Sequence, residues 1–161
     1  MNDAAVQRLI DENACAGLLA RYGQAVDRLD GVALERLFWP DATVDLGFFK
    51  GTGQQVADFL VSNGRLSLRR CHVTCNSVFD FAGATVAADS CAITHAISAD
   101  GAGGMLKHVF FGRYLDRVER RGGEWRLAAR RYQLHSYTVA AYAEDPALAA
   151  MAGTETAGDI A

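Results

Sequence analysis

The side chains best suited to chemistry lie in two predicted strands, Arg70-Cys71-His72-Val73-Thr74-Cys75-Asn76-Ser77-Val78 and Ser90-Cys91-Ala92-Ile93-Thr94-His95-Ala96-Ile97. Each carries one imidazole, the side chain that both takes and gives protons in ordinary aqueous conditions. β-branched residues are frequent in both segments, and a turn signal, Phe81-Ala82-Gly83-Ala84, lies between them. In the second strand Cys91, Ile93, His95 and Ile97 alternate as an apolar row broken only by the histidine, so that row is expected to face the core. A two-residue loop at Ala82-Gly83 sets His72 opposite Ile93 and diagonal to His95, on one face, with Cβ atoms about 7–8 Å apart. Two imidazoles would then share one apolar interior. An unbulged three-residue loop would send them to opposite faces.

The elements that must position this hairpin follow from periodicity and caps. Asp3 is a suitable N-cap for a long helix carrying Val6, Leu9, Ile10 and Asn13 and running on through Leu18-Leu19 to Asp27. Asp30 caps a second, short helix, Val32 to Phe38, which Pro40 stops. The segment from Asp41 to Phe49 reads as an edge strand or short hairpin ending at Gly51, and Thr52 caps a third helix with Val56, Phe59 and Leu60. After the central hairpin comes a glycine-rich loop, Ala99 to Gly104. A last hairpin then runs from Leu106 to Arg120 and, past Gly122-Gly123, from Trp125 to Val139. The alanine-rich tail from Ala140 is a peripheral short helix at best. Helices first and antiparallel strands later make an α+β arrangement, a curved sheet around the N-terminal helices.

Composition narrows the function classes. At 161 residues the chain fits one domain, 1–161, with a substantial core. Apolar residues make up 50% and charged residues 22%, which argues against disorder. A net charge of −3 gives no electrostatic reason for nucleic acid or an anionic membrane as partner. The N-terminus is polar from Asn2, unlike a signal peptide, and no apolar run is long enough to span a bilayer, so the cytoplasm is the expected compartment. Cys71 and Cys75 stand about 13 Å apart at strand rise, too far for a disulfide or a shared metal. All four cysteines read as small buried hydrophobes, and no Cys or His spacing suggests a zinc site. Neither metal nor cofactor is expected.

The order of several motifs carries a family resemblance. Ala25-Val26-Asp27-Arg28-Leu29-Asp30 precedes Leu34-Glu35-Arg36-Leu37-Phe38-Trp39-Pro40-Asp41-Ala42. Later come Gly51, Cys71-His72-Val73-Thr74, Gly112-Arg113-Tyr114-Leu115-Asp116 and Gly123-Glu124-Trp125-Arg126-Leu127. Together, over roughly residues 5 to 140, they resemble the SnoaL-like branch of the NTF2-like superfamily, which includes polyketide cyclases, scytalone dehydratase and bile acid 7α-dehydratase. The resemblance implies a cone of mainly antiparallel sheet wrapped around helices. It also implies four working residues: Tyr22 and Asp27 on the first helix, His72 on the central strand and His95 on the next. A second tyrosine that scytalone dehydratase carries near its first strands has no match, and Phe48 and Phe49 stand in that region.

The residues themselves support such a set. A carboxylate in an apolar pocket needs a partner, and imidazole is the natural one. Asp27 bonded to His72 would fix the tautomer of a general base, with His95 as the acid and the Tyr22 hydroxyl polarising a carbonyl. Tyr22 and Asp27 are five apart, so on a straight helix they diverge by about 140°. Phe48, Phe49, Phe59, Ile93 and Phe110 are the candidate lining, suited to a small hydrophobic substrate. His108 and His135 share a face of the final hairpin, with His135 opposite Phe110. Arg130 and Arg131 read as surface or interface charges.

Two functions from different classes follow. One is a cofactor-free lyase or isomerase, dehydratase-like, acting on a hydrophobic hydroxy-carbonyl or ring compound. The other is a non-catalytic ligand binder or partner subunit, such as the β-type subunit of a ring-hydroxylating dioxygenase. A homodimer or homotrimer is expected through the outer face of the sheet, where Val109 and Phe111 alternate with the inward row.

Overall fold

In the computed structural model, which describes residues 3–147 and Met151, three helices precede and interrupt six strands. Helix α1 spans Asp3–Asp27, α2 Gly31–Leu37 and α3 Gly53–Gly64. The strands are β1 Phe38–Asp45, β2 Lys50–Thr52, β3 Arg69–Ala82, β4 Thr85–Ala99, β5 Met105–Arg121 and β6 Glu124–Tyr142. Their order in one sheet is β2-β1-β6-β5-β4-β3. Neighbours are antiparallel except β1 and β6, which run parallel. The α+β expectation holds, with that one parallel pair making the sheet mixed.

Local chemistry explains the helices. Asp30 accepts from the Ala33 amide at the start of α2. Thr52 and Gln55 form a reciprocal capping box at the start of α3, satisfying two amides that the helix leaves unpaired. The buried residues of α1 lie in its second half, from Cys15 to Asp27, while Val6, Leu9 and Ile10 near its start are exposed. Tail residues 148–150 and 152–161 lie outside the described residues, and the chain from Ala140 to Tyr142 continues β6 rather than turning helical.

Register differs from the sequence expectation in both hairpins. The β3–β4 turn is Gly83-Ala84, one residue later than expected, a shift that by itself keeps every side chain on its face. Between Cys75 and Val78, however, β3 carries a bulge, with Asn76 at φ 49°. One extra residue reverses the facing of all that precedes it. His72 therefore pairs with Thr94, and His95 pairs with Cys71 on the outer face. The inward row of β4 is Val86, Ala88, Ser90, Ala92, Thr94 and Ala96. Cys91, Ile93 and His95 form part of the opposite one. Of the cysteines only Cys15 is buried, and Cys71, Cys75 and Cys91 lie on the outer face. In the last hairpin, irregularities between Phe111 and Gly112 and between Arg117 and Val118 place Tyr137, not His135, opposite Phe110. His135 is exposed.

Inside the cone sits an ion pair whose arginine, Arg130, was expected as a surface or interface charge. Arg130 and Asp116 meet through two hydrogen bonds of 2.8 and 2.7 Å, and both side chains have no exposed area. The guanidinium lies over the rings of Tyr22 and Tyr114, 4.0 and 4.1 Å from their centroids. Burial works against its charge, but the Asp116 carboxylate outweighs burial and holds the Arg130 pKa above its ordinary value. Breaking such a pair strands a buried charge. Asp116→Ala should therefore cost about 3–5 kcal/mol in urea unfolding. Replacing both partners, as Asp116→Leu with Arg130→Met, should recover much of that loss. A single variant as stable as the parent would contradict this account.

Candidate active site

Helix α1 and strand β3 meet unusually closely, and glycine makes the approach possible. A Cβ on Gly23 would stand 3.0 Å from the His72 carbonyl oxygen. One turn further on, at the helix end, the Asp27 carboxylate uses both oxygens on the same residue. Oδ1 lies 2.6 Å from His72 Nδ1, and Oδ2 accepts from the His72 backbone amide at 2.9 Å. The backbone bond fixes the carboxylate relative to the strand, so the ring is held by a rigid partner. With Nδ1–H donating to the carboxylate, Nε2 is left as the acceptor. Arg70, two residues back on the same face, donates to the Asp27 carbonyl at 2.7 Å and to the carbonyls of Gly64 and Ser67 at 2.8 Å. It ties the ends of α1 and α3 to the strand that carries His72.

The pair opens on a cavity of about 590 Å³ between the helices and the inner face of the sheet. Its wall is mostly apolar, with Phe48, Phe59 and Phe110 among the lining residues and His72 and Tyr22 as polar members. That is a typical size and character for a small-molecule site. Phe49 stands behind this wall, stacked on Phe59 at 4.6 Å. Tyr22 is buried, edge-on to Phe38 and Tyr114 at 6.1 and 5.6 Å. The 140° divergence expected between Tyr22 and Asp27 is accommodated because the last turns of α1 are covered on two sides, by the β5–β6 wall and by β3. Burial pushes the Tyr22 and Tyr114 phenols above their ordinary pKa, Tyr114 well above, while the Arg130 guanidinium acts in the opposite sense on both. Both hydroxyls remain protonated donors.

The structure thus brings Tyr22, Asp27, His72, Phe48, Phe59 and Phe110 to one place. His95 and Ile93 are corrected: the inward row of β4 is the even-numbered one, so both lie on the outer face, where His95 is exposed, and the Asn76 bulge in β3 is what brings His72 to the inner face. Sequence reasoning left unplaced His108, which lines the cavity from β5 with Ser98 and Thr94 of β4. Two further tyrosines of the wall, Tyr114 and Tyr132, were also missed. They share a strand face with Asp116 and Arg130, whose burial only the fold reveals. A second, more open groove of about 800 Å³ lies between α1, α2 and the β5–β6 turn, lined by Arg21, Arg28, Arg36 and Arg126. Among the described residues no cluster of three or more His, Cys, Asp or Glu side chains is arranged to hold a metal ion.

Comparison with known proteins agrees with this architecture. No curated protein matches the sequence. Among solved structures, a candidate scytalone dehydratase from Novosphingobium aromaticivorans superposes with a TM-score of 0.74 at 19% identity, over 88% of this chain and 93% of that one. A type 2 hexachlorocyclohexane dehydrochlorinase (LinA) gives 0.79 at 20% identity, over 88% and 98%. The type 3 LinA of Novosphingobium barchaimii gives 0.76 at 20%, over 84% and 94%. At these identities the likeness establishes the fold. The model of the SnoaL-like domain matches residues 7–131, and with the cone now described the chain belongs to that family, within the NTF2-like superfamily.

Proposed function

We propose that this protein is a lyase of the dehydratase type, acting without a cofactor on a small hydrophobic hydroxy-carbonyl or ring compound. The observation that carries the reading is the Asp27–His72 pair, 2.6 Å apart, at the wall of an apolar cavity. His72 Nε2 takes a proton from carbon next to a carbonyl, and Asp27 holds the ring in the tautomer that can accept it. The Tyr22 hydroxyl, kept neutral by burial, donates to the carbonyl oxygen as negative charge builds there. The leaving group departs from the adjacent carbon. Two structural neighbours bear the names of elimination enzymes, a dehydratase and a dehydrochlorinase, which supports loss of HX as the reaction class. A ligand carrier or partner subunit has no need of a carboxylate-oriented imidazole at the cavity wall.

Losing a positioned base typically costs about 10²–10⁴ in rate. His72→Ala should therefore nearly abolish turnover of a β-hydroxy ketone such as the aldol of benzaldehyde and acetone, followed by absorbance of the conjugated enone. Asp27→Asn should cost somewhat less, because it misorients the ring. Parent-like turnover by a folded His72→Ala variant ends the proposal, and binding of aryl ketones without any turnover would instead fit a carrier.

The outer face supports a second expectation. Val73, Val78 and Phe111 are exposed there, on β3 and β5, beside half-buried Val109. A homodimer or homotrimer assembled through this face would cover them. Sedimentation at micromolar concentration should give the mass of two or three chains, and a monomer would remove the expectation.

A further inference from the structure

Elimination of a hydroxyl needs a proton for the departing oxygen, and His95 cannot supply it from the outer face. The cavity wall holds another arrangement that can. His108 pairs with Ala96, while Thr94, two residues back on β4, pairs with His72. The two histidines therefore share the inner face with β4 between them, their Cα atoms about 12 Å apart by strand spacing and rise. The His108 ring is engaged at both nitrogens: Nε2 lies 2.9 Å from Ser98 Oγ, and Nδ1 lies 2.7 Å from the Tyr137 hydroxyl. Ser98 and His108 line the cavity. Tyr137 is 47% exposed and is held by stacking on Phe110, with ring centroids 4.5 Å apart. Three groups thus form an unbroken hydrogen-bonded chain from solvent to the cavity.

A neutral imidazole donates from one nitrogen and accepts at the other, and hydroxyls do either. The chain consequently has two arrangements with the same number of hydrogen bonds. In one, Ser98 donates to Nε2 and Nδ1–H donates to Tyr137. In the other, Tyr137 donates to Nδ1 and Nε2–H donates to Ser98, which leaves the Ser98 proton free to point into the cavity.

We propose that Ser98, His108 and Tyr137 form a proton relay that protonates the leaving oxygen of the substrate, an inference that rests on the elimination reading above. The carbon–oxygen bond breaks as Ser98 gives its proton to the departing oxygen, which leaves as water. Ser98 takes the Nε2 proton, Nδ1 takes the phenolic proton of Tyr137, and Tyr137 is refilled from solvent. The carbon-bound proton goes to His72 and then to solvent, and its electron pair becomes the new carbon–carbon double bond. The net change is substrate to enone and water. Ser98 alone touches the substrate; His108 and Tyr137 act through it and are positioning residues.

If the cluster only held β4, β5 and β6 together, its loss would slow every reaction alike. The leaving group separates the two cases, because chloride departs as a stable anion and needs no proton. The experiment measures enone formation from the benzaldehyde–acetone aldol and from its β-chloro analogue, which yield the same product. Parent, His72→Ala, Ser98→Ala, His108→Phe and Tyr137→Phe proteins are compared, with circular dichroism confirming each fold. Ser98→Ala and His108→Phe should lower the ratio of hydroxide to chloride elimination by about 10²-fold, the scale of a positioned proton donor. Tyr137→Phe should lower it less, since water can feed the ring from outside, and this half-exposed position tests the relay even where His108→Phe fails to fold. His72→Ala should slow both substrates and leave the ratio near that of the parent. An unchanged ratio in folded Ser98 and His108 variants overturns the relay and leaves the Asp27–His72 reading standing. Absence of parent turnover on both substrates overturns the elimination reading and the relay with it.

Discussion

One carboxylate joins the end of a helix to the middle of a strand, and the geometry of the cavity depends on that joint. Asp27 binds the backbone and the ring of His72 with its two oxygens, while Arg70 grips the Asp27 carbonyl from the same strand. A buried carboxylate without such partners would be costly. Here the cost is met by groups that also fix the angle of α1 against β3. Gly23 belongs to the same joint, because any side chain there would meet the His72 backbone. A helix end pinned this way cannot slide without stranding a buried charge, so the imidazole is oriented by the fold itself rather than by a mobile side chain.

Polar groups in the interior fall into two layers with different characters. Deep in the cone, Arg130 and Asp116 are paired with each other and capped by Tyr22 and Tyr114, a sealed arrangement with no exposed side-chain area. Nearer the opening, His72, Ser98 and His108 line the cavity and have protons to exchange. Tyr22 belongs to both layers. Its ring packs on the sealed ion pair, and burial keeps its hydroxyl protonated at the cavity wall. The deep layer thereby holds the Tyr22 ring in place at the cavity wall.

Caps, breakers and composition make most of the architecture legible from the residues alone. Asp30, Thr52 and Gly122-Gly123 act locally, so the elements they bound can be read one at a time, whereas Pro40, expected to stop α2, lies inside β1. The Asp27–His72 meeting is readable too, because the family resemblance names both residues and a carboxylate in an apolar pocket has few partners able to balance it.

What the sequence by itself determined was the kind and order of elements, the helix-to-strand succession and the residue types that the interior would have to satisfy. What only the tertiary structure decided was facing. Side chains alternate along a strand, so one extra residue reverses every assignment beyond it. The bulge at Asn76 turned His72 to the inner face, while His95 and Ile93 lie in the outward row of β4. Irregularities in the β5–β6 ladder put Tyr137, not His135, opposite Phe110 and so beside His108, and the curl of the sheet buried Arg130 against Asp116. Neither a bulge nor a curl leaves a mark in the local pattern of residues, because both are settled by how six strands close around three helices.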